Sequence, residues 1–289
     1  MTMTLRALLA ALLLLTLAAC SSTPDEDVTP DLPPETLYRQ ATEALKQGQY
    51  TNASRMFSDL DQRHPFSPWA VRAQINLIYA DFKREEFAEA ISHAERFIRL
   101  HPRHPEAAYA YYMRGLAHYR QVKDAYRDQD RTRKAAAAFR EVVNRFPTSD
   151  YAWEAKQMLD HCIYRMAEQE MVVARYYLDR ENWLAAYNRF SAVVESKEYS
   201  ATPLVEEALF SLLVIAKKLG LDGEARNYAA VLGHNFPNGR FYPLAPPLVE
   251  GRGGISKSQL ASLRTEVDEG SFFARFFEGL KPGVLTPGN

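Results

Sequence analysis

Apolar residues recur at the three- and four-residue spacing of helices through most of this 289-residue chain, and no β-rich run interrupts them. The rhythm stops repeatedly at one signal. His64-Pro65, His101-Pro102, Phe146-Pro147 and Phe236-Pro237 each close an apolar-periodic segment, at separations of 37, 45 and 90 residues, the last wide enough for two units. Proline lacks the amide proton that a helix interior needs, and its ring clashes with the preceding turn. In "HPFSPWAVRAQ" (His64 to Gln74) the stop is followed at once by a start. Ser67 can cap the next helix through its hydroxyl, and Pro68 takes the first helical position, where its fixed φ is favourable. The pattern predicts successive helical hairpins.

Aligning the segments on their prolines exposes a repeat. Gly48 falls at an inter-helix turn, followed by Tyr50, Ala53, Phe57 and Pro65. The second unit offers Phe87, Ala90, Phe97 and Pro102, and the third Gly115, Ala135, Phe139 and Pro147. The fourth keeps Trp183, Ala186 and Phe190 but has Glu198 at the proline position; the fifth keeps Gly220, Ala225 and Pro237 but has Asp222 at the aromatic one. Small residues let paired helices approach, aromatics fill the space between hairpins, and each hairpin buries its apolar face only by stacking on a neighbour. A period of about 34 residues with these features is the tetratricopeptide pattern. The expected fold is therefore all-α: a right-handed superhelical solenoid of about five tetratricopeptide hairpins over residues 35–239. Two units depart from regularity. The third carries about eight extra residues near Val122 to Lys134, judged against the usual period. No Pro or Gly interrupts Asp150 to Arg180, which predicts a long rod for the first helix of unit four.

Composition narrows the function classes. Hydrophobic content of 47% and charged content of 25% are those of a globular chain, and a net charge of −1 argues against a binder of nucleic acid that must neutralise many phosphates. The two cysteines, Cys20 and Cys162, supply no disulfide framework. At the N-terminus, Arg6 precedes an apolar run from Ala7 to Leu15, too short to span a bilayer comfortably but suited to a secretory leader. Leu17-Ala18-Ala19-Cys20 resembles a lipobox, which implies cleavage of residues 1–19 and diacylation of Cys20. Residues 20–34, rich in Pro, Ser, Thr and acids, read as a flexible tether.

"HPFSPWA", "INLIYADFK", "ERFIRLHPRHP" and "YYMRGL", in that order from His64 to Leu116, resemble the BamD family, tetratricopeptide lipoproteins of the β-barrel assembly machinery. "DRTRKAAAAF" and "ARYYLDRENWLAAYNRF" fit the same family, so the similarity runs from about Pro34 to Pro237. It implies an anchor on the periplasmic face of the outer membrane. It also implies binding to BamA and other subunits of the BAM complex, and delivery of unfolded outer-membrane β-barrel proteins. No cofactor and no enzymatic step are implied. In that family an arginine on the second helix of unit four meets BamA; Arg189 in "YNRF" matches it, with Asp179 and Arg180 near the preceding turn.

The first helix of each tetratricopeptide hairpin lines a concave surface. In that register the lining comprises Tyr38, Leu45 and Lys46 from unit one, Ile75, Tyr79, Phe82 and Lys83 from unit two, and Tyr109, Tyr112, Tyr119 and Arg120 from unit three. Clients implied by the resemblance end in an aromatic residue bearing the free carboxylate. An aromatic groove with cations beside it can hold the ring and pair with the carboxylate. Any of these tyrosines can equally well pack between neighbouring helices.

Other signals lead away from chemistry. His101 and His104 are separated by prolines that keep them off one helical face, and no HExxH or paired CxxC occurs, so no metal site is expected. Cys162, inside "LDHCIYRM", reads as a small buried residue. "EGRGGIS" (Glu250 to Ser256) follows no strand and reads as a linker within an extension over residues 240–289. In that extension Phe272, Phe273, Phe276, Phe277 and Leu280 share one helical face opposite Arg275 and Glu278, suited to covering the last repeat or docking on a partner or membrane. Another periplasmic tetratricopeptide lipoprotein, a secretin pilot or cell-envelope division factor, is the alternative; the ordered family motifs favour the assembly reading. A solenoid joined to a peptidoglycan lyase would need a further catalytic domain of ordinary size, for which the extension is too short.

Overall fold

The computed structural model describes residues 32–122, 129–262 and 264. Cys20, the leader, most of the tether, part of the unit-three insertion and the Phe272–Leu280 segment lie outside the described residues. Five helix pairs follow one another: α1 (Pro34–Lys46) with α2 (Tyr50–Arg63), α3 (Pro68–Lys83) with α4 (Phe87–Leu100), and α5 (Ala107–Arg120) with α6 (Gln129–Arg145). Then come α7 (Ala152–Asp179) with α8 (Trp183–Glu195), and α9 (Val205–Lys218) with α10 (Asp222–Asn235). Two short helices, α11 (Ala245–Val249) and α12 (Lys257–Ser262), complete the described chain. Each helix packs on the next, and α3 also touches α1 and α5, as expected of stacked hairpins.

Two turn types alternate, and each follows from local chemistry. Between the helices of a pair, units one, two, four and five use the same Schellman closure. The amide of Gln49 donates to the Ala44 carbonyl (2.9 Å) and that of Gly48 to Leu45 (3.1 Å), and the same two bonds recur at Glu86/Glu85, Asn182/Glu181 and Leu221/Gly220. The closure demands a left-handed residue, supplied by Gly48 (φ +74°) and Gly220 (φ +73°) but by Glu85 (64°) and Glu181 (60°) in units two and four. Between pairs, the His-Pro and Phe-Pro signals form hydrogen-bonded turns with proline at the second position. Ser67 N–H donates to the His64 carbonyl (2.9 Å), His104 to His101 (3.1 Å), Ser149 to Phe146 (3.0 Å) and Gly239 to Phe236 (2.9 Å). After the first, Ser67 Oγ accepts from the Trp69 amide at 3.2 Å and Pro68 opens α3. The double break in "HPFSPWA" is thus a turn followed by a cap.

The small positions of the repeat are the tightest points of the core: Ala53, Ala90, Ala135, Ala186 and Ala225 are all fully buried. Phe57, Phe139 and Phe190 lie four residues further on, also fully buried. Unit two differs from the sequence alignment. Its equivalent position holds Ala94, and Phe97 stands one turn later, in the register of Leu60 and Val142. At 28 residues, α7 is the expected rod, about 42 Å long. It joins the core of units one to three, through Leu159 and Cys162, to that of units four and five, through Ala167 and Met171. Burial pushes the Cys162 thiol up to about 12, away from nucleophile chemistry.

Beyond unit five, Phe241 and Ala245 are buried against α9 and α10, with the Phe241 ring 5.3 Å from that of Phe210. The backbone amide of Phe241 donates to Glu206 Oε1 (3.0 Å), and a Cβ on Gly239 would lie 2.0 Å from that oxygen, so a side chain at Gly239 would displace the carboxylate from this bond. Among the described residues, covering the last repeat falls to this stretch.

Candidate binding surfaces

The eleven groove residues expected from the repeat register divide sharply. Tyr109 and Tyr112 are 0% and 1% exposed, and Ile75, Tyr79 and Phe82 are buried too. These five are corrected from groove lining to packing between hairpins. Tyr112 stacks on Tyr151 (5.5 Å between centroids), and its hydroxyl donates to Glu154 Oε2 at 2.8 Å. Tyr109 lies against Tyr151 at 5.3 Å, Tyr79 meets the edge of Tyr50 at 6.5 Å, and Phe82 that of Phe87 at 5.5 Å. Burial raises the Tyr79 phenol to about 12 and raises Tyr112 further, with the neighbouring Glu154 carboxylate adding to it. The reason is geometric. Aromatics at this register on a first helix meet the neighbouring helices on either side, where apolar burial outweighs exposure to a groove. Leu45 is likewise buried.

Tyr119 is half-buried, and its hydroxyl shares a 3.1 Å hydrogen bond with His161 Nε2. Lys83 and Arg120 are exposed at the ends of α3 and α5. The Lys83 ammonium lies 5.6 Å over the Tyr50 ring, and the Arg120 guanidinium lies 5.6 Å over Phe87 while donating to Glu85 (3.0 Å).

Tyr38 and Lys46 do share a concavity. α1 and α3 enclose a hollow of about 260 Å³ lined by the Tyr38 and Trp69 rings, by Arg39, Lys46 and Arg72, and by Thr42, Glu35 and Glu43. The Tyr38 and Trp69 rings are 4.9 Å apart, Arg72 lies 5.3 Å over Trp69, and Asn76 Nδ2 donates to the Tyr38 hydroxyl at 3.0 Å. Three cations against two carboxylates leave the hollow with one net positive charge, which beside a pair of rings suits a ligand that is both aromatic and anionic. Sequence reasoning passed over Trp69 and Arg72 because "SPWAVR" was read only as a helix boundary.

The second surface lies at the far end of α7 and on α8. Asp179, Arg180 and Arg189 are all exposed. Asp179 accepts from Arg264 at 2.9 and 3.0 Å, and Arg189 donates to Glu170 at 3.0 Å. The Arg180 guanidinium lies 3.7 Å over the ring of Tyr176, which is 50% exposed and continues to the exposed Val172 one turn earlier. An arginine flattened on an exposed tyrosine presents a rigid, amphipathic patch of the kind enriched at protein interfaces. Tyr176 and Val172 were missed because a single exposed apolar residue on a long helix carries no sequence signal of its own.

Stacked helix pairs with aromatic–cation patches on units one and four define a helical-repeat binding scaffold of the tetratricopeptide type. Comparison with known proteins makes this specific. The profile of the YfiO family, described as outer membrane lipoprotein, matches residues 30–232. The chain is 36% identical over 265 residues to the outer membrane protein assembly factor BamD of Caulobacter vibrioides, covering 88% of this chain and 86% of the relative. It is 35% identical over 251 residues to that of Rickettsia prowazekii (86% and 98% covered) and 36% over 228 residues to that of Vibrio cholerae (75% and 92%). The chain belongs to the BamD family of outer membrane lipoproteins.

Proposed function

We infer that this chain acts as an outer-membrane protein assembly factor whose work is binding rather than catalysis. In this reading Cys20 carries lipid that holds the chain on the periplasmic face of the outer membrane. The solenoid presents one end to unfolded β-barrel clients and the other to BamA, with further BAM-complex subunits as additional partners. Family membership supports the general role. The hollow between α1 and α3 supports the client site, since Tyr38 and Trp69 offer ring contacts and Arg39, Lys46 and Arg72 offer partners for a terminal carboxylate. Lys83 and Arg120 extend the cationic edge along the next two units. Arg180 stacked on Tyr176, with Asp179 adjacent in sequence, supports a BamA contact on unit four, and Arg189, paired with Glu170 further back along α7, extends it on α8.

The client site is tested with a synthetic peptide ending in phenylalanine, followed by tryptophan fluorescence or calorimetry. The expected result is binding that falls at least tenfold when the terminal carboxylate is amidated, and likewise for Lys46→Ala/Arg72→Ala. Equal affinity for amidated and free peptides refutes the carboxylate role. For the partner surface, Arg189→Glu is expected to abolish co-purification with BamA while leaving the circular dichroism of the chain unchanged. Undiminished recovery of BamA would remove that assignment.

A further inference from the structure

The end of the described chain carries a second hollow, also about 260 Å³, that neither surface above accounts for. Its walls are Leu244, Pro247, Leu248 and Ile255, with Gln259 and Ser262 at one edge. The glycine-rich stretch is drawn close to form it, a Cβ on Gly253 lying 3.3 Å from the Pro247 side chain. The volume is below the roughly 300 Å³ at which small-molecule sites begin and suits one or two apolar side chains. It lies at the terminal edge of a solenoid, where an uncovered apolar face works against solubility.

We propose that this hollow receives the chain's own segment Phe272–Leu280. Ser262 forms part of the rim, and Arg264 is held to Asp179 by two hydrogen bonds, so the chain departs from the edge of the hollow itself. Phe272 follows Arg264 by eight residues, a reach of up to about 26 Å when extended. Phe272, Phe273, Phe276, Phe277 and Leu280 recur at the spacing that puts them on one helical face, with Arg275 and Glu278 on the other. A tether this short sets an effective concentration on the order of millimolar, so a modest intrinsic affinity suffices for the docked state to dominate. The inference is independent of the client and BamA assignments.

The test uses soluble chain from Ser21 onward, a version ending at Glu269, and Ile255→Arg in the longer chain. Hydrogen exchange is followed over residues 244–262. Exchange is expected at least tenfold faster in the shortened chain and in Ile255→Arg, with residues 34–235 unchanged in both. A synthetic peptide of residues 270–282 should restore protection to the shortened chain at saturation and have no effect on the longer one. Identical exchange in the long and short chains overturns the proposal. So does loss of anionic-vesicle binding on shortening without a change in exchange, which assigns the segment to a membrane. Dissociation of a dimer on shortening also overturns it, by assigning the segment to a second copy.

Discussion

Gly115 tests whether close approach between paired helices, rather than turn formation, is what that glycine supplies. It lies inside α5, where glycine is about 1 kcal/mol less favourable than alanine. Propensity alone therefore predicts that Gly115→Ala stabilises. The structure predicts the reverse. A Cβ there would sit 2.7, 2.9 and 3.0 Å from three carbons of the Phe139 ring, which is fully buried and packed against Tyr112. Restoring ordinary carbon contact requires the ring to move by roughly 0.8 Å into a close-packed interior. Overpacking of this kind costs about 1–3 kcal/mol, so after the propensity gain of about 1 kcal/mol the net loss is about 0–2 kcal/mol. Urea unfolding followed by circular dichroism measures it. Gly223→Ala, in α10 with nothing within 4 Å of the new methyl, serves as the control and should be neutral or slightly stabilising. Phe139→Leu alone should destabilise, but in combination with Gly115→Ala the double variant should be at least about 1 kcal/mol more stable than the sum of the singles, because the two side chains contend for one space. A Gly115→Ala protein more stable than the parent, as propensity alone predicts, would refute the reasoning.

Three further outcomes are expected. Arg175 Nε and Nη2 both donate to the buried Glu207 carboxylate at 2.7 Å, joining the first helices of units four and five; Arg175→Met should cost about 3–5 kcal/mol in urea unfolding, and Arg175→Met/Glu207→Leu should regain most of it. Equal stability of single and double variants would count against a desolvated pair. Replacing Glu85 or Glu181, the left-handed non-glycines of two Schellman closures, by glycine should raise stability by about 0.5–1 kcal/mol each, read as a higher melting temperature, and a fall would be contrary. Burial, then the nearby Arg165, holds the His161 imidazole down to about 4, and burial with Arg114 does the same for His118. The unfolded chain takes up these protons near the ordinary value of 6.5, so the contribution is complete above that pH and is lost as pH falls toward 4. At pH 5 the loss is about 2 kcal/mol for the more deeply buried His161 and smaller for His118, where solvent screens the charges. His161→Gln should flatten this slope in unfolding midpoints; an unchanged slope excludes the residue as its source.

How much of this was legible in the sequence depends on how local the governing physics is. The proline stops, the Ser67 cap and the glycines at 48 and 220 were legible, because a missing amide proton or a positive φ constrains one or two residues regardless of context. The buried alanines were legible as a repeat, because a close helix crossing admits few side chains. Glu85 and Glu181 were not, since glutamate gives no hint of a left-handed conformation that the surrounding closure imposes. Unit two also defeated a motif alignment, since Ala94 and Phe97 exchange bulk between adjacent turns. The groove failed most fully. A tyrosine at helical spacing is the same signal whether it lines a surface or fills the seam between hairpins, and only the position of the next helix decides. Tyr109 and Tyr112 went inside, whereas Tyr38, at the open end of the stack, kept one face for the hollow with Trp69.

What remains outside is ordered by the repeat all the same. Lys46, Lys83 and Arg120 end the first helices of units one, two and three and stand 37 residues apart, so stacking brings them to one edge of the solenoid. Each occupies a helix C-terminus, where a cation is favoured by the partial negative charge of unpaired carbonyls. Lys83 and Arg120 also lie over Tyr50 and Phe87, the first residues of the second helices of units one and two, so one cation–ring contact is made twice across successive hairpins. The aromatic rings, drawn inward, thereby fix the position of the charges left at the surface. Under the proposed client role, this face offers placed cations over half-buried rings, with the Tyr38–Trp69 pair lining the hollow at the first unit. In that role an anionic chain terminus meets charge along three units and a pair of rings within a hollow at the first, which is why the peptide test turns on Lys46 and Arg72 rather than on the buried tyrosines.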